Sequence, residues 1–174
     1  GVSYNSKKVF DITQTNAKPR ENAGIKRDER MLLKALIHNA PCPIEISQQM
    51  PEGINAAYRP QDKKIFVRAG LDAGDIFRGL SQELAHAHLD NGEYKRNEHA
   101  FTAYCASYML CSRYNVAKDM FRFERLPENI STMDARSMRN ELSKIRDVAN
   151  EISADMAKIL EKDMKPKERR DEAR

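Results

Sequence analysis

The residue types and spacing best suited to catalysis occur in one short segment, Gln82-Glu83-Leu84-Ala85-His86. Residues four positions apart share a helix face, so a helix here would place Gln82 and His86 together, with Glu83 beside them. In the pattern His-Glu-x-x-His, two imidazoles hold Zn²⁺ and the glutamate acts as general base on the metal-bound water. Glutamine replaces the first histidine here, and an amide is a poor zinc ligand beside an imidazole. The segment therefore retains a base and one ligand and lacks the other ligand.

A third ligand could come from the next predicted helix, because Glu98 and His99 lie near its start. His88 is a poor substitute, since two further helical residues turn a side chain about 200° away from His86. Glu-x-x-His pairs also recur by chance on solvated helix faces. A polar surface without chemistry therefore remains the alternative interpretation of these residues.

Composition excludes several other classes of protein. The chain has 174 residues, of which 32% are charged, and its mean hydropathy is −0.74, as in one helix-rich domain. No apolar run approaches the ~18 residues of a membrane helix, so we expect no membrane association and a cytoplasmic location. The net charge of +4 comes from interleaved signs and indicates no dedicated nucleic-acid surface. The three cysteines lack Cys-x-x-Cys spacing, and no phosphate-binding glycine motif is present.

The elements that would position these residues follow from periodicity and end signals. Residues 1–27 are expected to form an N-terminal arm and loop, with a short extended stretch at 9–15, and a helix should follow from Asp28 to about Asn39. Strands are predicted at 44–47, 56–58 and 64–68, the last two as a hairpin. We expect them to form a small, three-stranded antiparallel sheet.

The remainder is predicted to be helical. Helices should run from Asp72 or Gly74 to Leu89, from about Asn97 to Tyr114, and from about Thr132 to Met164. The last has an apolar stripe that favours packing along the domain, with a coiled-coil contact to a partner as the alternative. The stripe is Met138, Leu142, Ile145, Ala149, Ile152, Met156 and Ile159. Residues 165–174 are a charged tail or linker, and the N-terminal Gly suggests a piece of a longer polypeptide.

Three stretches, in order, resemble the zincin-like ImmA/IrrE metallopeptidase family, most of all the C-terminal domain of ArdC-type antirestriction proteins of mobile elements. Ser81–Leu89 is similar to the family's His-Glu-Leu-Ala-His-Ala segment. Val9–Thr15 is similar to the Val-Phe-Asp-Val-Ser-Gln-Thr that leads into the ArdC peptidase domain. Glu98–Cys105 is similar to its Glu-Ala-Glu-Ala-Val-Ala-Tyr helix.

The resemblance implies an α+β zincin-like domain over residues 28–164, with a small antiparallel sheet on a helical core and a long C-terminal helix. It implies that Glu83 is the catalytic base, His86 the second zinc ligand and Glu98 the third, with His99 a weaker candidate. Gln82 would line the site where the family has its first ligand. In ArdC-type proteins a single-stranded DNA-binding domain precedes this one, so DNA binding is expected outside this segment.

Three functions are compatible with these features. The first is a degenerate zincin of a mobile-element protein, impaired in catalysis, needing no cofactor and recognising a protein or peptide. The second is an active zinc metallopeptidase in which Glu83, His86 and Glu98 are joined by a substitute ligand. The third is an architectural module that assembles its parent protein through the long C-terminal helix. With Gln82 in place of a ligand, we favour the first.

Overall fold

A computed structural model describes residues 28–38 and 40–164, without the side chains of 162–164. These residues form the predicted α+β fold, with five helices and three strands. In chain order the elements are α1 (Glu29–His38), β1 (Ile44–Ser47), β2 (Ala56–Arg59), β3 (Lys64–Arg68), α2 (Ala73–Leu89), α3 (Arg96–Tyr114), α4 (Glu128–Ser131) and α5 (Ala135–Met164). The predicted arm at 9–15 and tail at 165–174 lie outside the described residues.

The sheet differs from the prediction in the placement of β1. The hairpin of β2 and β3 is antiparallel as expected, but β1 pairs with β3 in parallel, with Ile44 opposite Ile65, and the strand order is β1-β3-β2. The predicted all-antiparallel sheet is therefore wrong, and the sheet is mixed. The reason is that helix α2 covers the outer edge of β2, so that β1 pairs with the free edge of β3. Because β1 and β3 run in the same direction, this pairing is parallel.

Helix α2 is the element that links the sheet to the helical core. The Asp72 carboxylate caps it by accepting a hydrogen bond from the Asp75 N–H at 2.8 Å. Its apolar side is buried, with Phe77, Leu80 and Leu84 at most 1% exposed. A second set of contacts faces α3, including a buried hydrogen bond of 2.8 Å between the hydroxyls of Ser81 and Ser107.

Helix α5 packs against α1, α2 and α3. The predicted stripe is buried at Ile145, Ala149, Ile152, Met156 and Ile159. Leu142 departs from it and is 54% exposed. Near this end of α5 the buried Glu141 carboxylate accepts a hydrogen bond from the Thr102 hydroxyl of α3. The stripe thus packs within the chain, as the sequence favoured.

Candidate functional site

Glu83 lies at the centre of the site and is only 3% exposed. Its carboxylate accepts hydrogen bonds from both terminal nitrogens of Arg96, from Nη1 to Oε2 at 2.8 Å and from Nη2 to Oε1 at 2.6 Å. Oε2 also accepts the backbone N–H of Tyr58 at 2.7 Å. Both carboxylate oxygens therefore have charge-assisted partners, in the bidentate geometry typical of strong arginine–carboxylate pairs.

The strand register explains why Tyr58 is one of these partners. The Arg68 N–H donates to the Asn55 carbonyl at 2.8 Å, so the backbone groups of Asn55 point towards β3. Successive residues of a strand direct their backbone groups to alternate edges, so Tyr58, three positions later, directs its N–H away from β3. Helix α2 approaches that edge at Gly79, where an added Cβ would lie 3.3 Å from the Ala56 Cβ. The small residue lets the helix come close, and Glu83, one turn further along, then satisfies the Tyr58 N–H.

His86 is 1% exposed and faces a different set of groups. Its Nδ1 shares a hydrogen bond with the Tyr94 hydroxyl. Burial, with the charges of Arg96 and His99, lowers the pKa of His86 to about 3, so the imidazole is neutral at physiological pH. Within the described residues its Nε2 is buried without a hydrogen-bond partner.

Tyr94 connects the imidazoles to the sheet. Its ring stacks on His99 at 5.6 Å between centroids, and meets His86 and Tyr58 edge-on, each at 5.9 Å. Burial raises the pKa of Tyr94 to about 12, so the hydroxyl stays protonated. His99 Nδ1 is the second buried imidazole nitrogen without a partner in the described part of the chain.

Of the other residues considered from the sequence, Gln82 adjoins this centre, whereas Glu98 and His88 lie apart from it. Glu98 is exposed and pairs with Lys95 at 3.1 Å. His88 faces α5, with its Nδ1 3.5 Å from the Glu151 carboxylate, as the helical rotation predicts. Gln82 lines a cleft together with Glu83 and Arg96. The structure thus brings Gln82 close to Glu83 and brings His86 close to His99, and it leaves Glu98 at the surface.

These positions do not fit a zinc centre of the kind that the resemblance implies. Among the described residues, no group of three or more His, Cys, Asp or Glu side chains is arranged to hold a metal ion. The Glu83 carboxylate is engaged by a guanidinium, and the Arg96 cation lies near enough to depress the pKa of His86. A second cation at this place would be repelled by the first.

Two adjoining clefts open beside Gln82, and Glu83 lines the first of them. The first, which we call the Glu83 cleft, has a volume of about 300 Å³ and lies between residues 53–56, α2 and α3. The second, the Phe101 cleft, has about 280 Å³ and lies between α3 and the segment 122–127. Gln82 and Tyr104 line both clefts, so the two form neighbouring parts of one concave surface.

Sequence reasoning missed Arg96, Tyr94 and Tyr58. A glutamate on the buried side of a helix needs a cationic or hydrogen-bonding partner, and that requirement was visible in the sequence. The partner itself was not, because the turn at 90–95 decides which of several basic residues reaches Glu83. Arg96, which reaches it, is the first residue of α3.

Comparison of the chain with protein-family models, with curated proteins and with solved structures found no match. Fold and site together define an α+β domain in which a buried carboxylate is paired with a half-exposed guanidinium beside a concave surface. Of the helices that the structure describes, none combines the length and the apolar character needed to cross a bilayer.

Proposed function

We propose that this chain is a zincin-like domain of a mobile-element protein that has lost its metal centre and serves as a recognition module for a protein or peptide. The observation that carries the proposal is the bonding of Glu83. A general base must accept a proton from a nearby water, whereas both oxygens of Glu83 are already engaged by Arg96. The guanidinium of Arg96 occupies the position at which catalysis would require a free carboxylate oxygen.

The concave surface supports the recognition role. Its two clefts, of about 300 and 280 Å³, are at the small end of the range of ligand sites. Glu83 and Arg96 line the Glu83 cleft, where a peptidase fold would hold its substrate, and the Phe101 cleft adjoins it at Gln82 and Tyr104. A domain of this kind can therefore retain a binding surface after losing hydrolysis.

Elemental analysis of protein purified without added metal or chelator tests the loss of the metal centre. We expect far less than one zinc per chain, and casein hydrolysis no faster than that of the Glu83→Gln variant. One zinc per chain, with hydrolysis that disappears in Glu83→Gln, would contradict the proposal.

Two further variants test whether Arg96 opposes the metal. Gln82→His supplies the missing imidazole, and the additional change Arg96→Met removes the neighbouring cation. We expect zinc uptake only in the double variant, at a lower affinity than a full zincin because Glu98 lies at the surface. Stoichiometric zinc in Gln82→His alone would show that Arg96 is no obstacle.

The second candidate function, an active zinc metallopeptidase, is favoured by the unpaired Nε2 of His86. A metal ligand needs an imidazole nitrogen that no other group engages, and Nε2 offers a lone pair in the tautomer that carries its proton on Nδ1. The same elemental and hydrolysis measurements decide between the two functions.

A further inference from the structure

The Phe101 cleft combines an apolar wall with two cations. Ala100, Phe101 and Tyr104 of α3 form one side, and Phe123 and Pro127 contribute apolar surface opposite them. Arg122 and Arg125 also line the cleft. Beside it, Met120 and Leu126 are 71% and 49% exposed, so the apolar surface extends beyond the cleft itself.

The segment 115–127, which forms the side of the cleft opposite α3, has no regular secondary structure, but contacts with α3 fix its position. The Arg122 N–H donates to the Tyr104 hydroxyl at 2.5 Å. Phe121 and Phe123 pack edge-on against both Tyr104 and Tyr108, at 5.1 to 5.4 Å between centroids. A surface ordered before binding loses less conformational entropy when it takes up a ligand.

The charges of this cleft are those of Arg122 and Arg125. Arg122 Nη1 donates to backbone carbonyl oxygens, those of Asp119 and Phe121. In the described part of the chain, neither Arg122 nor Arg125 forms an ion pair with a carboxylate. By contrast, Arg78 in the adjoining Glu83 cleft is paired with Asp75. The guanidinium groups of Arg122 and Arg125 remain available for an anionic ligand.

Charge and ring geometry narrow the choice of occupant. Residues 1–27 and 165–174 each contain more Lys and Arg than Asp and Glu, which makes the ends of this chain poor complements to two arginines. Nucleic acid would need open ring faces for stacking, and the four rings beside the cleft instead pack on one another edge to face. An acidic peptide with apolar side chains complements both the wall and the charges.

We propose that the Phe101 cleft binds an acidic peptide segment of a partner protein, with an apolar side chain against Phe101, Tyr104 and Phe123 and carboxylates on Arg122 and Arg125. This inference rests on the recognition role proposed above and names the chemistry of the partner. It does not depend on whether zinc is bound beside Glu83.

An array of random short peptides, probed with labelled wild-type protein, tests the inference. The test variant is Arg122→Glu with Arg125→Glu. The matched control is Arg30→Glu with Arg146→Glu, which makes the same change in net charge on α1 and α5, away from both clefts. We expect the bound peptides to be enriched in Asp or Glu beside Phe, Leu or Met.

Fluorescence anisotropy with the best peptide then measures affinity. The test variant should weaken binding by at least about tenfold, whereas the control should change it by less than about threefold. Absence of acidic enrichment, an equal loss in the control variant, or tighter binding of an oligothymidylate than of the peptide would overturn the inference. Each of these results could occur whatever the zinc content, so failure here is distinguishable from failure of the proposed function.

Discussion

Replacement of Arg96 by Met should show how strongly the buried Glu83 depends on its cation. The change leaves a carboxylate that is 4% exposed with only the Tyr58 N–H as partner. Removal of one member of a buried ion pair costs about 3–5 kcal/mol. The Arg96 side chain is 43% exposed, however, so water can enter its place and reduce the penalty. We expect a loss of about 2–3 kcal/mol in the free energy of unfolding.

Urea denaturation followed by far-ultraviolet circular dichroism measures this loss. The matched control is Lys95→Met, which breaks the adjacent ion pair between Lys95 and Glu98. The side chains of this pair are 73% and 61% exposed, respectively. It should cost less than about 1 kcal/mol. In a double-mutant cycle with Glu83→Gln, the two changes should be coupled by at least about 1 kcal/mol. A cost for Arg96→Met equal to that of Lys95→Met, or no coupling, would refute the reasoning.

Three further predictions concern stability. Gly79→Ala places a Cβ 3.3 Å from the Ala56 Cβ, which is closer than ordinary van der Waals contact, whereas a Cβ at Gly74 makes only ordinary contacts, at 3.4 Å or more. Urea denaturation should therefore show Gly74→Ala to be more stable than Gly79→Ala by about 1 kcal/mol. Because the pKa of His86 falls from 6.5 to about 3 on folding, stability should decrease as pH falls from 6.5 towards 3, and His86→Gln should flatten this slope. The pKa of Asp90 is lowered to about 2 by hydrogen bonds from Lys63, the Tyr58 hydroxyl and the Gly92 N–H. The contribution of Asp90 to the free energy of unfolding should therefore be lost between about pH 4 and 2, and Asp90→Asn should remove that acid transition. For either residue, an equal dependence of stability on pH in the variant and the wild type would contradict the prediction.

The sequence predicted the helices well because their signals are local. Asp72 begins α2 as a cap, and the apolar spacing along α2 and α5 sets their buried faces. The pairing of β1 was beyond such reasoning, since it depends on which edge of the hairpin α2 leaves free. Leu142 fits the apolar period and is nevertheless exposed, and the adjacent Glu141 is buried instead, with its carboxylate against the Thr102 hydroxyl of α3.

For the candidate site, too, positions within one helix were predictable from the sequence, whereas contacts between helices were not. Spacing within α2 placed Gln82 beside Glu83 in the cleft and turned His88 towards α5. Contacts between elements were not predictable from spacing. The position of Glu98 at the surface, and that of Arg96 against Glu83, both follow from the rotation of α3 about its own axis.

The bonding of Glu83 explains how a glutamate in this position can be useful without catalysis. Its carboxylate satisfies the Tyr58 N–H at the covered edge of β2 and neutralises Arg96 at the start of α3. An alanine there would leave the buried Tyr58 N–H without its partner, at a cost of about 1–3 kcal/mol. Gln82 carries no comparable structural duty, because its side chain lines the clefts and makes no hydrogen bond within the described residues. On the function proposed above, a glutamine at position 82 in place of a ligand histidine costs little stability, whereas Glu83 is still required.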